Sequence, residues 1–260
     1  MLRFQTAEKK MTKTIKWVFV TLLLVLTLTV VVSAEPVHWY VKNNTEHKRP
    51  QLDSALSVIN GHNACYLGKD EKVIYLTFDA GYENGNVEKI LDILKKHNAT
   101  GAFFILENLI TRNTELVRRM ANEGHLVCNH TARHKNMSLI YDKAAFEREL
   151  KALETVYTEY TGKELDKFYR PPEGSFNKQN LEFADEMGYK TVFWSFAYAD
   201  WDNSKQPEYE KAIKKVMSHI HNGEIMLLHP TSATNAAILD ELLTKLEADG
   251  YRFGSLNELS

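Results

Sequence analysis

From about residue 72 onward, short apolar runs alternate with amphipathic stretches to the end of the chain. Val73-Ile74-Tyr75-Leu76-Thr77-Phe78 is continuous, β-branched and aromatic, which predicts a buried strand; Asp79, Gly81 and Gly85 follow it. Val87, Ile90, Leu91 and Leu94 recur at helical spacing and predict a helix over 87–97. Residues 101–106 read as the next strand, 116–123 as a helix stopped by Gly124, and 125–129 as a strand. A long helix is predicted from the Asp142 cap to Tyr160, ended by Gly162. The rhythm continues with strands at 168–170, 191–196, 225–228 and 251–253, and helices at 177–187, 207–221 and 235–248. Alternation of this kind implies right-handed βαβ units and a parallel α/β sheet of about seven strands. A closed barrel and an open doubly wound sheet both fit the pattern.

The N-terminal residues follow another logic. Basic residues come first, then an apolar stretch from Ile15 to Val32, then the small residues of Val32-Ser33-Ala34. This is the layout of an export signal over 1–34, and the apolar stretch is also long enough for an uncleaved membrane anchor. Either reading puts the rest of the chain outside the cytoplasm. Residues 35–65 are polar and irregular and are expected to form an arm packed on the outside of a main domain over 66–260.

Composition changes this picture little. Apolar residues make up 44% and charged residues 25%, which suits a globular domain with a sizeable core. Net charge is −2, and residues 1–34 hold five cations against one anion, so the body is more acidic than the whole. That argues against nucleic acid as a partner, since phosphate backbones reward clustered Lys and Arg. Cys65 and Cys128 are too few for a disulfide framework, and Cys128 within Leu126-Val127-Cys128 reads as a buried thiol.

Candidate chemistry lies where parallel α/β folds collect it, at the C-terminal ends of strands. Asp79 follows the first strand, and His130 and His134 follow the third. Arg170 ends the next, Asp200 comes just after another, and His229 closes the apolar run 225–228. Two imidazoles four residues apart can reach one metal ion. Taken singly each feature has a bland counterpart: surface histidines, an Asx-turn at Asp79, a core histidine at 229. Together they converge on one face of the sheet. An Asp200–His229 pair would make an oriented acid with a raised pKa.

In this order the segments resemble the polysaccharide deacetylases of carbohydrate esterase family 4, the NodB homology domain, from about Tyr66 to Leu259. The motifs are Thr77-Phe78-Asp79-Ala80-Gly81, His130-Thr131-Ala132-Arg133-His134, Arg170-Pro171-Pro172-Glu173-Gly174, Asp200-Trp201 and Leu228-His229. Within the family the strings Tyr75 to Gly85, Val192-Phe193-Trp194-Ser195 and Leu227 to Ser232 are most similar to the muramic δ-lactam-forming deacetylases of the bacterial spore cortex.

The resemblance implies an irregular (β/α) barrel and metal-dependent hydrolysis of the N-acetyl group of an amino sugar in cell-wall glycan, with N-acetylmuramic acid as the expected unit. It implies a divalent metal, expected to be zinc, on His130 and His134. Asp79 becomes the base, His229 the acid, Asp200 its orienting partner and Arg170 the tether of Asp79. The Glu173 N–H would meet the oxyanion, and Trp201 and Phe193 would line the acetyl pocket. A secreted or membrane-anchored monomer acting on the cell wall is expected. Most of the family carries a second carboxylate where this chain has Ala80, which is expected to leave a water-filled gap in the metal site. Glu173 stands where many relatives have an aromatic. Activity on N-acetylglucosamine polymers and a non-catalytic glycan-binding role both remain as alternatives.

Overall fold

The computed structural model describes residues 35–42 and 44–259. The export signal or anchor expected over 1–34 lies outside the described residues. Among the described residues no helix is long and apolar enough to cross a membrane.

The strands are β1 (Val37–His38), β2 (Ala64–Cys65), β3 (Val73–Ala80), β4 (Gly101–Ile105), β5 (Leu126–Asn129), β6 (Asp166–Tyr169), β7 (Ser175–Phe176), β8 (Lys190–Val192), β9 (Glu224–Leu228) and β10 (Arg252–Phe253). The helices are α1 (Val87–Lys96), α2 (Glu107–Arg112), α3 (Thr114–Asn122), α4 (Lys143–Thr161), α5 (Lys178–Glu186), α6 (Tyr209–Met217) and α7 (Ala233–Ala248). The main sheet runs β10-β3-β4-β5-β6-β8-β2, with β9 also on β3, and every ladder in it is parallel. It is the α/β barrel the motifs implied, curled until β9 meets the chain beyond β8. There Ser195 N–H donates to Ile225 O (3.0 Å) and Leu227 N–H to Phe196 O (2.9 Å).

Strand alternation sorts β3 into two faces. Ile74, Leu76, Phe78 and Ala80 join the large cluster under α1 and α7, with Val87, Ile90, Leu91, Leu94, Ile238, Leu239 and Leu242. Val73 and Tyr75 face the barrel interior with Phe104, Cys128, Val192 and Ile225. The same parity turns Thr77 and Asp79 inward.

Helix ends follow their cap residues. Asp142 accepts from Ala145 N–H at the start of α4, and Gly162 closes it in the left-handed conformation. Three expectations shift. The helix placed at 116–123 is preceded by a short α2, broken from α3 at Asn113; with only Leu109 and Ile110 buried, α2 carries almost no periodic signal. The strand expected over 191–196 changes partner midway. Phe193 N–H donates to Cys65 O (2.8 Å), and two residues later the chain pairs with β9.

Residues 35–65 do more than lie outside. β1 pairs antiparallel with β7, and β2 adds an edge to the main sheet beside β8. Trp39 stacks on Phe193 with ring centroids 4.3 Å apart, and its indole N–H donates to Trp194 O (2.9 Å). Both thiols are free, and Cys128 is buried inside the barrel.

Candidate active site

The C-terminal ends of β3, β5, β6 and β9 and the loop after β8 meet around one cavity of about 680 Å³. Asp79, His134, Glu173, Trp194, Tyr198, Trp201 and His229 are among its lining residues.

Arg170 is the hub beneath it. Its side chain is fully buried. Nη1 donates to Asp79 Oδ1 (2.8 Å), Nη2 to Thr77 Oγ1 (2.9 Å) and Nε to Val192 O (3.0 Å). The guanidinium also lies 4.2 Å from the centroid of the Phe104 ring. Burial alone would keep Asp79 protonated, but the charge of the Arg170 guanidinium bonded to it outweighs burial and holds the carboxyl below its ordinary range. Asp79 is therefore an anion with Oδ1 occupied by the charge-assisted bond and Oδ2 at 3.6 Å from His130 Nε2.

His130 Nδ1 donates to Arg170 O (2.8 Å), which leaves Nε2 as the atom with a lone pair toward Asp79. Burial pushes this imidazole down to about 4, so it stays neutral. His134 crosses it edge-on, ring centroids 5.1 Å apart. The segment carrying both is built on unusual backbone: Thr131 has φ 69° and His134 φ 54°, and Thr131 Oγ1 accepts from His134 N–H (3.0 Å). Such conformations cost of order 1–3 kcal/mol each and persist where surrounding bonds impose them.

A neutral imidazole held from behind by a backbone carbonyl, a second imidazole beside it and a carboxylate facing both suit a divalent cation. The donors do not make up a full protein set, and among the described residues no group of three or more His, Cys, Asp or Glu is placed to hold a metal ion. Ala80 belongs to the helix-facing core and is fully buried. Its methyl supplies no donor to the site, and strand alternation sets it among the apolar residues under α1 and α7.

Across the cavity, His229 Nδ1 meets Asp200 Oδ1 at 2.8 Å, and the His229 backbone N–H donates to Asp200 Oδ2 (2.8 Å). Burial works against protonation of His229, yet the hydrogen bond and charge of Asp200, with Asp79, raise its pKa. Nε2 is left as the working nitrogen. Two partners have no motif to announce them. Asn235 Nδ2 donates to Asp200 Oδ2, and Tyr198 OH donates to Asn235 Oδ1. The only local signal at Asn235 is its place three residues after the Ser232 cap.

Glu173 lines the cavity with φ 58°, at the tip of a turn closed by Gly174 N–H to Pro171 O (3.0 Å). Among the described residues its own N–H donates to no protein group. Trp201 is 64% exposed on the rim. Phe193 does not line the cavity. It is buried against Trp39 and Phe176, and the neighbouring Trp194 takes the wall position instead, because alternation sends consecutive side chains to opposite faces.

A family model described as polysaccharide deacetylase matches residues 67–192. The peptidoglycan-N-acetylmuramic acid deacetylase PdaA of Bacillus subtilis (strain 168) is 39% identical over 229 residues, 86% of this chain and 86% of that one. The solved structure of Bacillus subtilis PdaA, a family 4 carbohydrate esterase, aligns with a TM-score of 0.83 at 38% identity, covering 86% of this chain and 97% of that one. A family 4 pseudoenzyme from Bacillus anthracis aligns with a TM-score of 0.69 at 29% identity, covering 75% and 68% respectively. The chain belongs to the polysaccharide deacetylase family, and its curled parallel sheet is the fold of that family's esterases.

Proposed function

We propose that this protein hydrolyses the N-acetyl group of N-acetylmuramic acid in peptidoglycan, of the spore-cortex type, as a hydrolase of a linear amide C–N bond. The observation that carries the reading is the pairing, across one cavity, of an ionised Asp79 beside two imidazoles with an oriented His229.

His130 and His134 would hold a divalent cation, zinc in our reading, and when bound it supplies Lewis acidity at the acetamide carbonyl and the attacking water. Asp79 accepts the proton of that water, and Arg170 keeps the carboxylate ionised and aimed. The Glu173 N–H faces the oxygen on which negative charge develops. His229 delivers a proton from Nε2 to the departing amine while Asp200 holds Nδ1. Trp201 and Trp194 flank the sugar, and Phe193 packs against Trp39 and Phe176 on the face away from the cavity. Residues 1–34 deliver the domain to the cell wall, by a cleaved signal or as an anchor, and it works there as a monomer.

A second reading has its own support. Ala80 removes a carboxylate common in the family, and a relative of the same fold is a pseudoenzyme. The test is acetate release from peptide-free glycan containing N-acetylmuramic acid, with chitin oligomers in parallel, before and after chelation and zinc addition. Release from the muramic glycan that chelation abolishes and zinc restores is the expected outcome. Release from chitin oligomers alone would move the substrate to N-acetylglucosamine. No release at any metal concentration, with glycan affinity that survives His130→Ala, would make the protein a glycan-binding pseudoenzyme.

A further inference from the structure

Asn235 sits in the first turn of α7, fully buried, and takes no part in the chemistry above. Every polar atom of its side chain is engaged. The amide nitrogen donates to Asp200 Oδ2 (2.5 Å) and to the His229 backbone oxygen (3.0 Å). The amide oxygen accepts from the Tyr198 hydroxyl. This orientation is forced by chemistry: a flipped amide would set its oxygen against a carboxylate and a carbonyl, both acceptors. Ser232 Oγ accepts the Asn235 backbone N–H (3.1 Å), so the residue is anchored at both ends.

The consequence falls on Asp200. Its Oδ2 takes two donors, the His229 N–H and the Asn235 amide, and its Oδ1 is left for the imidazole alone. A carboxylate so filled cannot tilt or shift away from the imidazole without stranding a buried donor. The imidazole is therefore held as the Nδ1–H tautomer when neutral, with Nε2 toward the cavity. The charged groups facing His229 are Asp200 from the loop after β8, Asp79 from β3 and Arg170 from the end of β6. Of these only Asp200 touches Asn235.

We infer that Asn235 is a positioning residue for the general acid: its amide, oriented by the Tyr198 hydroxyl, fixes the Asp200 carboxylate and through it the His229 ring. The role of His229 as acid rests on the deacetylase reading; the fixing of its ring does not. Tyr198 also lines the cavity, so the chain of bonds runs from the substrate wall to the acid.

Asn235→Asp tests this directly, because it keeps the shape and exchanges a donor for an acceptor. The enzyme loaded with zinc is assayed for kcat and KM on muramic glycan, and the His229 tautomer is read from long-range imidazole ¹⁵N–¹H spectra. The expected result is a kcat loss of about 100-fold with KM within about twofold, the scale of a misplaced catalytic group. The single Nδ1–H pattern of His229 is expected to disappear in the same variant. Tyr198→Phe, which removes one hydroxyl and keeps the core filled, is expected to lower kcat by up to about tenfold, the worth of one hydrogen bond. It serves as the readout if Asn235→Asp does not fold. Parent-like kcat and tautomer in the folded variants would overturn the inference and leave Asn235 a packing residue. A parent without turnover but with the Nδ1–H pattern, lost in Asn235→Asp, would sink the deacetylase reading and uphold the positioning role.

Discussion

Asp79 and His229 divide the work through their surroundings. Asp79 is held ionised by Arg170, and His229 is kept protonatable by Asp200, although both are largely withdrawn from solvent at the cavity wall. In Asp79→Asn the expected loss of turnover is about 10²- to 10⁴-fold, the usual worth of a general base, with metal content unchanged by elemental analysis. Loss of the metal in that variant would make Asp79 a ligand. For His229 the sign follows from the causes: burial lowers its pKa, and Asp200 more than compensates. In Asp200→Asn the compensation goes and burial remains. The basic limb of the kcat/KM profile is then expected to move to lower pH, and a limb that stays in place would separate Asp200 from the acid. Asp79, His130, His134, Arg170, Asp200 and His229 are all readable in the sequence, because each has a bland counterpart taken singly but together they fall at strand ends that share one face. Asn235 and Tyr198 are not readable, since their value lies in three hydrogen bonds to residues that the chain brings together only on folding.

At the scale of elements, the turn that presents Glu173 is wedged between two segments far apart in sequence. Trp39 N–H donates to Gly174 O (2.8 Å) as β1 pairs with β7. Gly174 has φ 64°, and a Cβ there would lie 2.8 Å from the Trp194 ring and 2.9 Å from Trp39 Cβ. Gly174→Ala is expected to cost about 2–4 kcal/mol in denaturant unfolding, combining left-handed backbone strain with overpacking. An unchanged midpoint would mean that the turn relaxes freely. The arm reads in sequence only as an irregular segment on the outside of the domain, because its polar residues show no period. Its apolar anchors, Trp39, Leu56 and Ile59, are too widely spaced to register as an element, yet they bury against Phe176 and Phe193.

For the whole molecule, the end of the barrel away from the cavity carries its own titratable group. Glu224 begins β9 with a fully buried carboxyl, and its Oε1 has no hydrogen-bond partner among the described residues. Burial pushes its pKa well above the ordinary carboxylate range. A group raised on folding contributes stability below its unfolded pKa, and that contribution is lost as pH rises through the folded value. Glu224→Gln removes the ionisation, so its Tm is expected to gain on the parent progressively from mildly acidic to alkaline pH. A gap that stays constant with pH would show Glu224 to be neutralised by other means.

The sequence by itself determined the alternation of strands and helices, the parallel sheet and the list of ionisable groups at the strand ends, because local periodicity and strand-end position are encoded residue by residue. Tertiary structure alone decided the closure of the sheet through Phe196 and β9, the docking of the arm, and which neighbour in each adjacent pair faces the cavity. Asp79 turns inward and Ala80 outward, and Trp194 takes the wall that Phe193 was expected to line. The physical reason is strand parity: a one-residue step reverses the face, and only the assembled barrel shows which face is the cavity.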